Sequence, residues 1–230
     1  MSNFIFVTGH QHSGTTILRK IIGNHKQVYE YYDEKPFDKI LSLFKTENKG
    51  EFVVGKYPDL LDTELESISR TIDLTNLKII CILKDPRQVL VSIRKRNPNI
   101  AVSDFLKRWE RIAQNCIELS EKDNRCILLK YEDLFGQEFL KIKETFRWLG
   151  LEYDHNIIDS NHKIVSKINF KHDVPDQMPP RHQQEAFRTY QINQPFVQHT
   201  WDFGSELTQQ ELKYFQVSTI QTIMEKLEYV

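Results

Sequence analysis

Gly9-His-Gln-His-Ser-Gly-Thr-Thr16 is the stretch that decides the fold of this 230-residue chain. It lies between an apolar run, Phe4 to Val7, and a segment with helical spacing, Ile17 to Ile22. Such an apolar run is typical of a buried parallel strand, and glycine adopts turn angles that other residues avoid. Backbone N–H groups of the turn would converge at a helix N-terminus, where the helix dipole favours an anion. The stretch therefore predicts a phosphate-binding turn after the first strand.

The spacing of Gly9, Gly14 and Thr16 matches the P-loop pattern G-x-x-x-x-G-K-S/T, but Thr15 occupies the position of the lysine. That lysine normally reaches the β- and γ-phosphates of a nucleoside triphosphate. Its absence argues against ATP or GTP as the substrate and leaves the anion-binding turn intact. A turn that merely packs a helix on a strand is the structural alternative, because a short motif is fallible.

Three further apolar runs are each followed by a helical pattern: Phe52 to Val54, Ile79 to Leu83 and Arg125 to Leu129. This alternation predicts an α/β fold, with a central parallel sheet flanked by helices, in a single domain over residues 1–230. Helices are predicted from Val102, with Ser103 or Asp104 near the cap, and from Gln137 to Leu149.

Two predictions concern the last third of the chain. Gly150 suits a left-handed helix cap, and a final helix is predicted from Thr208 through Leu227. Residues 155–205 are polar, contain prolines and show little periodicity, which is typical of a functional lid or an irregular segment.

Composition excludes several classes of function. A net charge of −1 gives no footprint for nucleic acid, and the apolar runs are too short for a membrane span. The N-terminus has no secretory signal pattern, so we expect a cytoplasmic protein with no membrane partner. Cys81, Cys116 and Cys126 lie in apolar patterns without ligand spacing, which predicts buried thiols and no metal site. The oligomeric state stays open.

A second cationic segment follows the run Ile79 to Leu83. It reads Lys84-Asp-Pro-Arg87 and leads into a helix that reaches Ser92. Pro86 suits the first turn of that helix. Because ligands bind outside the carboxyl ends of parallel strands, Lys84 and Ser92 are predicted to face the same crevice as the glycine turn. Solvated surface charges are the alternative interpretation.

Together the two segments resemble the PAPS-dependent sulfotransferases, PAPS being 3′-phosphoadenosine 5′-phosphosulfate. That family has a 5′-phosphosulfate loop K/R-S-G-T-T and a 3′-phosphate motif R/K-D/N-P-R/K-x-x-x-x-S. Here they read His12-Ser-Gly-Thr-Thr16 and Lys84-Asp-Pro-Arg-Gln-Val-Leu-Val-Ser92. Further similar segments are Val54-Gly-Lys-Tyr-Pro58, Lys130-Tyr-Glu-Asp-Leu134, Phe146-Arg-Trp-Leu-Gly-Leu151 and Trp201 to Glu211.

The resemblance implies transfer of a sulfuryl group from PAPS to a hydroxyl or amine of a small-molecule acceptor, with 3′-phosphoadenosine 5′-phosphate (PAP) as the product. It assigns the 5′-phosphosulfate to Ser13, Gly14, Thr15 and Thr16, the 3′-phosphate to Lys84 and Ser92, and the adenine to the vicinity of Tyr131.

The chain departs from the family at three places, one of which is Ile17, where cytosolic animal enzymes of the family often have tryptophan. His12 stands where the family has lysine or arginine, and histidine is charged only when its pKa is raised or the pH is low. The family's basic loop near the C-terminus is not evident around Gln198-His-Thr200, where Arg181 or Arg188 is a candidate substitute.

Catalysis needs a stabilised leaving phosphate and a base for the acceptor proton. Loop amides, His12 and Lys56 are the candidates for the first role. For the base, the tyrosyl-protein branch of the family uses a glutamate about twenty residues beyond the loop, a spacing that leads here to Asp33, with Glu34 adjacent. The other carboxylate in this stretch is Glu30, and the histidine branch of the family leaves His10, His172 and His182 open.

Two other functions remain open from the sequence. In a P-loop kinase, Asp85 would be a magnesium ligand, although the missing lysine argues against it. A non-catalytic nucleotide-binding protein would account for the departures from the family pattern at His12 and near the C-terminus.

Overall fold

A parallel sheet of five strands forms the centre of the computed structural model, which describes residues 3–31, 51–62, 76–158 and 200–230. The strands are β1 Asn3–Thr8, β2 Val28–Glu30, β3 Phe52–Lys56, β4 Leu77–Leu83 and β5 Cys126–Lys130. Their order is β2-β3-β1-β4-β5, and each neighbouring pair is parallel. The α/β fold predicted from the sequence is confirmed.

The helices, numbered along the described chain, are α1 Thr15–Gly23, α2 Pro86–Arg94, α3 Val102–Lys122, α4 Leu140–Leu149, α5 Phe203–Glu206, α6 Gln209–Tyr214 and α7 Ser218–Lys226. Short 3-10 turns lie at Leu60–Asp62, Tyr131–Leu134, Gln137–Phe139 and His155–Ile157. None of the described helices is long and apolar enough to cross a membrane.

Both faces of the sheet are covered, which explains why its central strands are apolar throughout. Ile5 and Val7 of β1 pack with α1 and α4, whereas Phe6 packs on the opposite side with α2, α3 and α7. β4 divides in the same way, with Ile80 and Ile82 on the α1 side. A parallel strand buried on both faces shows a continuous apolar run, not an alternation.

The cysteines are free and buried, as their apolar sequence context predicts. The described residues contain no cluster of side chains that could hold a metal ion.

Helix ends confirm some sequence predictions and correct others. Gly150 caps α4 in the left-handed conformation at φ 82°, and Pro86 opens α2 after the capping carboxylate of Asp85. The cap of α3 is Ala101, which makes no side-chain bond, so the prediction of Ser103 or Asp104 is wrong by two or three residues. Fraying and weak capping make such boundaries the least predictable part of a helix.

The predicted final helix is two helices, α6 and α7, separated at Phe215 to Val217. A capping box between Thr208 and Glu211 starts α6. The break lets Phe215 and Ile220, both buried, contact the same core cluster. Tertiary packing therefore overrides the continuous helical spacing of the sequence.

β2 is absent from the sequence predictions because it has only three residues and ends in a charged one. Glu30 is neutralised by Arg19 of α1, whose Nε donates to its Oε1 at 2.8 Å. The two side chains are 1% and 4% exposed. Gly23 permits this close packing, since a Cβ there would lie 2.6 Å from Glu30 Oε2. The ion pair fastens the first helix to the edge of the sheet.

Glu30→Ala should lower the free energy of unfolding by about 3–5 kcal/mol, because it leaves the buried Arg19 guanidinium uncompensated. The exposed pair between Lys122 and Glu118 on α3 is the matched control. Glu118→Ala should cost less than about 0.5 kcal/mol. Urea unfolding followed by circular dichroism measures both values. Similar small losses in the two variants would contradict a stabilising role of the buried pair.

Candidate functional site

The glycine turn lies against β4 and the residues that follow β5. Gly9 has φ 146°, and a Cβ at this position would lie 1.9 Å from the Ile82 carbonyl oxygen. Gly14 has φ 95°, and a Cβ there would lie 2.4 Å from the Tyr131 ring. Any other residue would clash at either position and also be strained. The predicted turn is therefore held over the carboxyl ends of the central strands.

Polar groups line the inside of the turn. Ser13 is fully buried, and its hydroxyl has no hydrogen-bond partner among the described residues. Its N–H donates to the His10 carbonyl at 3.1 Å, which closes the turn. α1 begins at Thr15, and Gly14 at the cap position supplies no side chain to its first N–H groups. An unpaired buried hydroxyl beside a helix N-terminus fits an anion.

Lys84 is the buried cation of the second segment. It is 4% exposed, and its ammonium lies 4.1 Å from the centre of the Tyr131 ring. Burial lowers the pKa of Lys84, while the carboxylates of Glu132 and Asp85 act in the opposite direction. Tyr131 thus lies next to both the glycine turn and the lysine, so the two segments meet at one ring.

Asp85 does not face the site as a magnesium ligand would. Its carboxylate accepts the Arg87 N–H at 2.9 Å and binds the Arg87 guanidinium at 2.6–3.1 Å. The carboxylate therefore serves to cap α2. This geometry removes the residue on which the kinase alternative depended.

His12 and Ser92 join the two segments. His12 Nδ1 lies 2.8 Å from Ser92 Oγ, and His12 holds the left-handed conformation at φ 67°. Burial lowers the pKa of His12 to about 3, with smaller contributions from the positive charges of Arg96, His10 and Lys84. The imidazole is therefore neutral near pH 7, unlike the lysine or arginine that the sequence pattern would place here.

Three consecutive cationic residues lie at the end of α2 and directly after it, and their side chains have different surroundings. Arg94 pairs with Glu211 of α6. Lys95 pairs with Glu206 of α5 at 3.4 Å and covers the Trp201 ring at 3.3 Å. Arg96 is the one whose charge acts on His12. It lies in the turn that directly follows α2, and its N–H donates to the Ile93 carbonyl at 2.8 Å.

Lys56 is the last residue of β3 and is 3% exposed. It is in register with Val7 of β1, directly before the glycine turn. Next to it, the Tyr57 N–H donates to the Val7 carbonyl and the Thr8 hydroxyl donates to the Tyr57 carbonyl at 3.0 Å. Lys56 thus lies at the same edge of the sheet as the turn.

The structure gathers nine of the residues singled out in the sequence at this edge: His12, Ser13, Gly14, Thr15, Thr16, Lys56, Lys84, Ser92 and Tyr131. The candidate bases Asp33 and Glu34 lie outside the described residues, as do His172, His182, Arg181, Arg188 and residues 159–199 of the predicted lid. Glu30 is described, and its carboxylate is paired with Arg19.

His10 is the described candidate among the histidines. It is 1% exposed, its Nδ1 donates to the Gln11 carbonyl at 2.8 Å, and its Nε2 has no partner among the described residues. Burial lowers the pKa of His10.

Asp59 contacts the glycine turn but was not identified in the sequence, and Arg108 binds Asp59. Asp59 accepts the Gln11 N–H at 2.9 Å, and Arg108 binds the same carboxylate at 3.0 Å. The signal in the sequence was a Pro58-Asp59 turn directly after a predicted strand, and the partner arginine is 49 residues away.

A separate groove of about 490 Å³ follows the outer edge of β5, between α4 and the end of α7. It contains both signs of charge, such as Lys226 and Glu144, and none of the residues of the glycine turn. This groove is therefore separate from the candidate site formed by the glycine turn and the segment Lys84 to Ser92.

His12→Asn should leave the stability at pH 7.5 nearly unchanged, since asparagine also tolerates the left-handed conformation. Because the pKa of His12 is lowered, this imidazole is protonated in the unfolded chain and neutral in the folded chain between about pH 6.5 and 3. Stability is thus lost as the pH falls through this window, by up to about 1.4 kcal/mol per pH unit for each such histidine.

In His12→Asn, the number of protons taken up on unfolding in this pH range should fall by close to one, so the stability should depend less on pH. Urea unfolding of both proteins at pH 7.5, 6.0 and 5.0 measures it. Identical pH dependence in the two proteins would show that His12 is not held neutral.

The family model of the sulfotransferase domain matches residues 3–226. A search of curated proteins gives no match.

Several solved structures are similar to the chain. The sulfotransferase domain of the Synechococcus PCC 7002 olefin synthase is 13% identical, with a TM-score of 0.64, over 96% of this chain and 95% of that one. The sulfotransferase domain from the curacin biosynthetic pathway is 13% identical, with a TM-score of 0.58, over 100% and 99%. Mouse sulfotransferase SULT7A1 complexed with PAP is 15% identical, with a TM-score of 0.60, over 93% and 82%. At these identities the likeness shows a shared fold.

Proposed function

Because this chain belongs to the sulfotransferase domain family and is therefore a sulfotransferase with PAPS as its donor, we propose that it transfers the sulfuryl group to a hydroxyl or amine of a small-molecule acceptor. The kinase alternative is set aside, since the family and the engagement of Asp85 by Arg87 both oppose it.

The contact between His12 and Ser92 carries the proposal for the binding mode. A nucleotide with phosphates at both the 5′ and 3′ positions of its ribose needs two separate anion sites, whereas a triphosphate needs one long site. The 2.8 Å contact joins the two segments that we propose as these sites, the glycine turn and the segment Lys84 to Ser92, at one edge of the sheet. Ligands of open parallel sheets bind at this edge.

Each of the two segments is proposed to bind a different part of PAPS. The unpartnered hydroxyl of Ser13 and the uncapped start of α1 would bind the 5′-phosphosulfate, together with Gly14, Thr15 and Thr16. Lys84 and Ser92 would bind the 3′-phosphate. Tyr131, whose ring already contacts Lys84, would lie near the adenine.

Arg96 is our candidate for the cation missing from the C-terminal part of the chain. It follows the end of α2, the helix that contains Ser92, and its charge lowers the pKa of His12. The 3′-phosphate would then face Lys84 from one side and Arg96 from the other.

In the reaction, the acceptor oxygen or nitrogen forms a bond to sulfur, the bond from sulfur to the 5′-phosphate oxygen breaks, and the acceptor proton passes to a base. Negative charge develops on the departing phosphate oxygen. Loop amides, the hydroxyls of Thr15 and Thr16, and the ammonium of Lys56 would stabilise this charge. His12, with Nδ1 next to the Ser92 hydroxyl, would donate from Nε2.

Transfer of radiolabelled sulfate tests the function directly. The protein is incubated with labelled PAPS and a metabolite extract, and labelled products are separated by size and identified by mass spectrometry. We expect a labelled small molecule and stoichiometric PAP. Label found only in protein would contradict a small-molecule acceptor, and PAP formation without any labelled product would indicate hydrolysis alone.

Lys84→Met should weaken PAP binding by about 10–150-fold, the equivalent of one charge-assisted contact of about 1.5–3 kcal/mol. Methionine keeps the apolar stem over the Tyr131 ring. Affinity for adenosine 5′-phosphosulfate, which lacks the 3′-phosphate, should hardly change. Isothermal titration calorimetry measures both, and equal losses for both nucleotides would place Lys84 outside the 3′-phosphate site.

Arg96→Gln should also reduce PAP affinity, by at least about fivefold at low salt, with little effect on adenosine 5′-phosphosulfate. Lys95→Gln is the matched control. It removes a positive charge from the neighbouring residue, whose side chain pairs with Glu206. If the two variants lose PAP affinity equally, only the general positive potential matters and Arg96 has no specific role.

The base is proposed to be Asp33 or Glu34. A general base contributes about 10²–10⁴-fold, so Asp33→Asn or Glu34→Gln should lower kcat by this factor and preserve PAP affinity. Steady-state kinetics with the identified acceptor measures the effect. If both variants keep wild-type turnover while His10→Gln or His172→Ala loses it, the base is a histidine.

A further inference from the structure

Asp59 makes two hydrogen bonds to the backbone of the glycine turn. Its N–H donates to the Gly9 carbonyl at 2.7 Å, and its Oδ1 accepts the Gln11 N–H at 2.9 Å. The two bonds lie on either side of His10. They fix the direction of the turn before it reaches His12 and Ser13, the residues that face the anion sites.

Asp59 adopts a conformation that suits this role and is otherwise costly. Its φ is 60°, in the left-handed region that few residues other than glycine enter, although aspartate and asparagine do so more readily than most. A costly backbone conformation persists only where its surroundings determine it. Here the hydrogen bond to Gly9 and the 3-10 turn Leu60–Asp62 hold Asp59 in this conformation.

Arg108 of α3 controls the orientation of the carboxylate. It binds Asp59 Oδ2 at 3.0 Å and, through Nε, Asp62 Oδ2 at 3.0 Å. The Asp59 side chain is 14% exposed. Because the guanidinium occupies Oδ2, Oδ1 stays directed at the Gln11 N–H. Asp62 makes no hydrogen bond to the turn in the described structure, but its N–H donates to the Asp59 carbonyl at 2.9 Å.

We propose that Asp59, oriented by Arg108, is a positioning residue that holds the phosphate-binding turn in its anion-binding shape. Its consequence for catalysis rests on the proposed function, because preorganised donors act on a developing charge only when they are already aligned. Asp59 contacts no reacting atom in this account. It acts through Gly9 and Gln11 on the groups that do.

Two substitutions at Asp59 separate the backbone conformation from the side-chain bond. Asp59→Gly keeps access to the left-handed conformation and removes the acceptor for Gln11. Asp59→Asn keeps the conformation and one acceptor oxygen for Gln11, but it replaces the oxygen that binds Arg108 with an NH2 group, so both the charge and the hydrogen bond to Arg108 are lost. Asp62→Asn is the matched control, since it removes a carboxylate from Arg108 and leaves the bonds to the turn in place.

Amide hydrogen exchange of residues 9–13 is the first measurement, and it needs no nucleotide. Asp59→Gly should speed exchange of the Gln11 amide at least about tenfold relative to wild type, whereas α3 and β5 amides stay unchanged. Asp62→Asn should resemble wild type, and Asp59→Asn should lie between them. Unchanged Gln11 exchange in folded Asp59→Gly, or equal acceleration in Asp62→Asn, would overturn the proposal.

PAP affinity and PAPS turnover are the second measurement. Asp59→Gly should lower kcat/KM for PAPS by about 10–100-fold, Asp59→Asn by less, and Asp62→Asn by less than about twofold. If wild type binds no PAP, the proposed function fails, and the exchange result still decides the role of Asp59. If Asp59→Gly does not fold, the exchange and kinetics of Asp59→Asn against Asp62→Asn decide it, and equality of the two would overturn the proposal.

Discussion

The close approach of the glycine turn to β4 is the constraint on which the site depends. Gly9 lies so near the Ile82 carbonyl that no side chain fits between them. This approach is possible because β1 and β4 are adjacent in the parallel sheet. It brings His12 within 2.8 Å of Ser92, the last element of the second segment. A turn displaced outward by one side chain would separate the two segments proposed to bind the phosphates.

Charge at the site is arranged in an unusual way for the binding of a highly anionic nucleotide. Burial keeps the pKa of His12 at about 3 and also lowers the pKa of Lys84. An anion bound between them would oppose the burial effect on both groups and favour their charged forms.

Much of the architecture could be predicted from the sequence because its signals are local. Apolar runs identified β1, β3, β4 and β5, Pro86 marked the start of α2, and Gly150 marked the end of α4. The glycine spacing identified the turn because steric constraints act within a few residues.

The parts that could not be predicted depend on contacts between distant residues. β2 is short and contains Glu30, whose burial is understandable only once Arg19 is seen beside it. The break between α6 and α7 comes from core packing of Phe215. Asp59 and Arg108 are separated by 49 positions, and no local pattern links them. The same limit applies to Arg96, whose relation to His12 appears only in the folded chain.

Calorimetric titration of the wild-type protein with PAP, adenosine 5′-phosphate, adenosine 3′-phosphate and magnesium ATP tests the central claim most directly. Two separate anion sites on one frame predict that PAP binds at least about a hundredfold more tightly than either monophosphate, since each phosphate adds its own charge-assisted contacts. PAP should also bind more tightly than magnesium ATP. Equal affinity for PAP and adenosine 5′-phosphate, or a preference for magnesium ATP, would contradict the account.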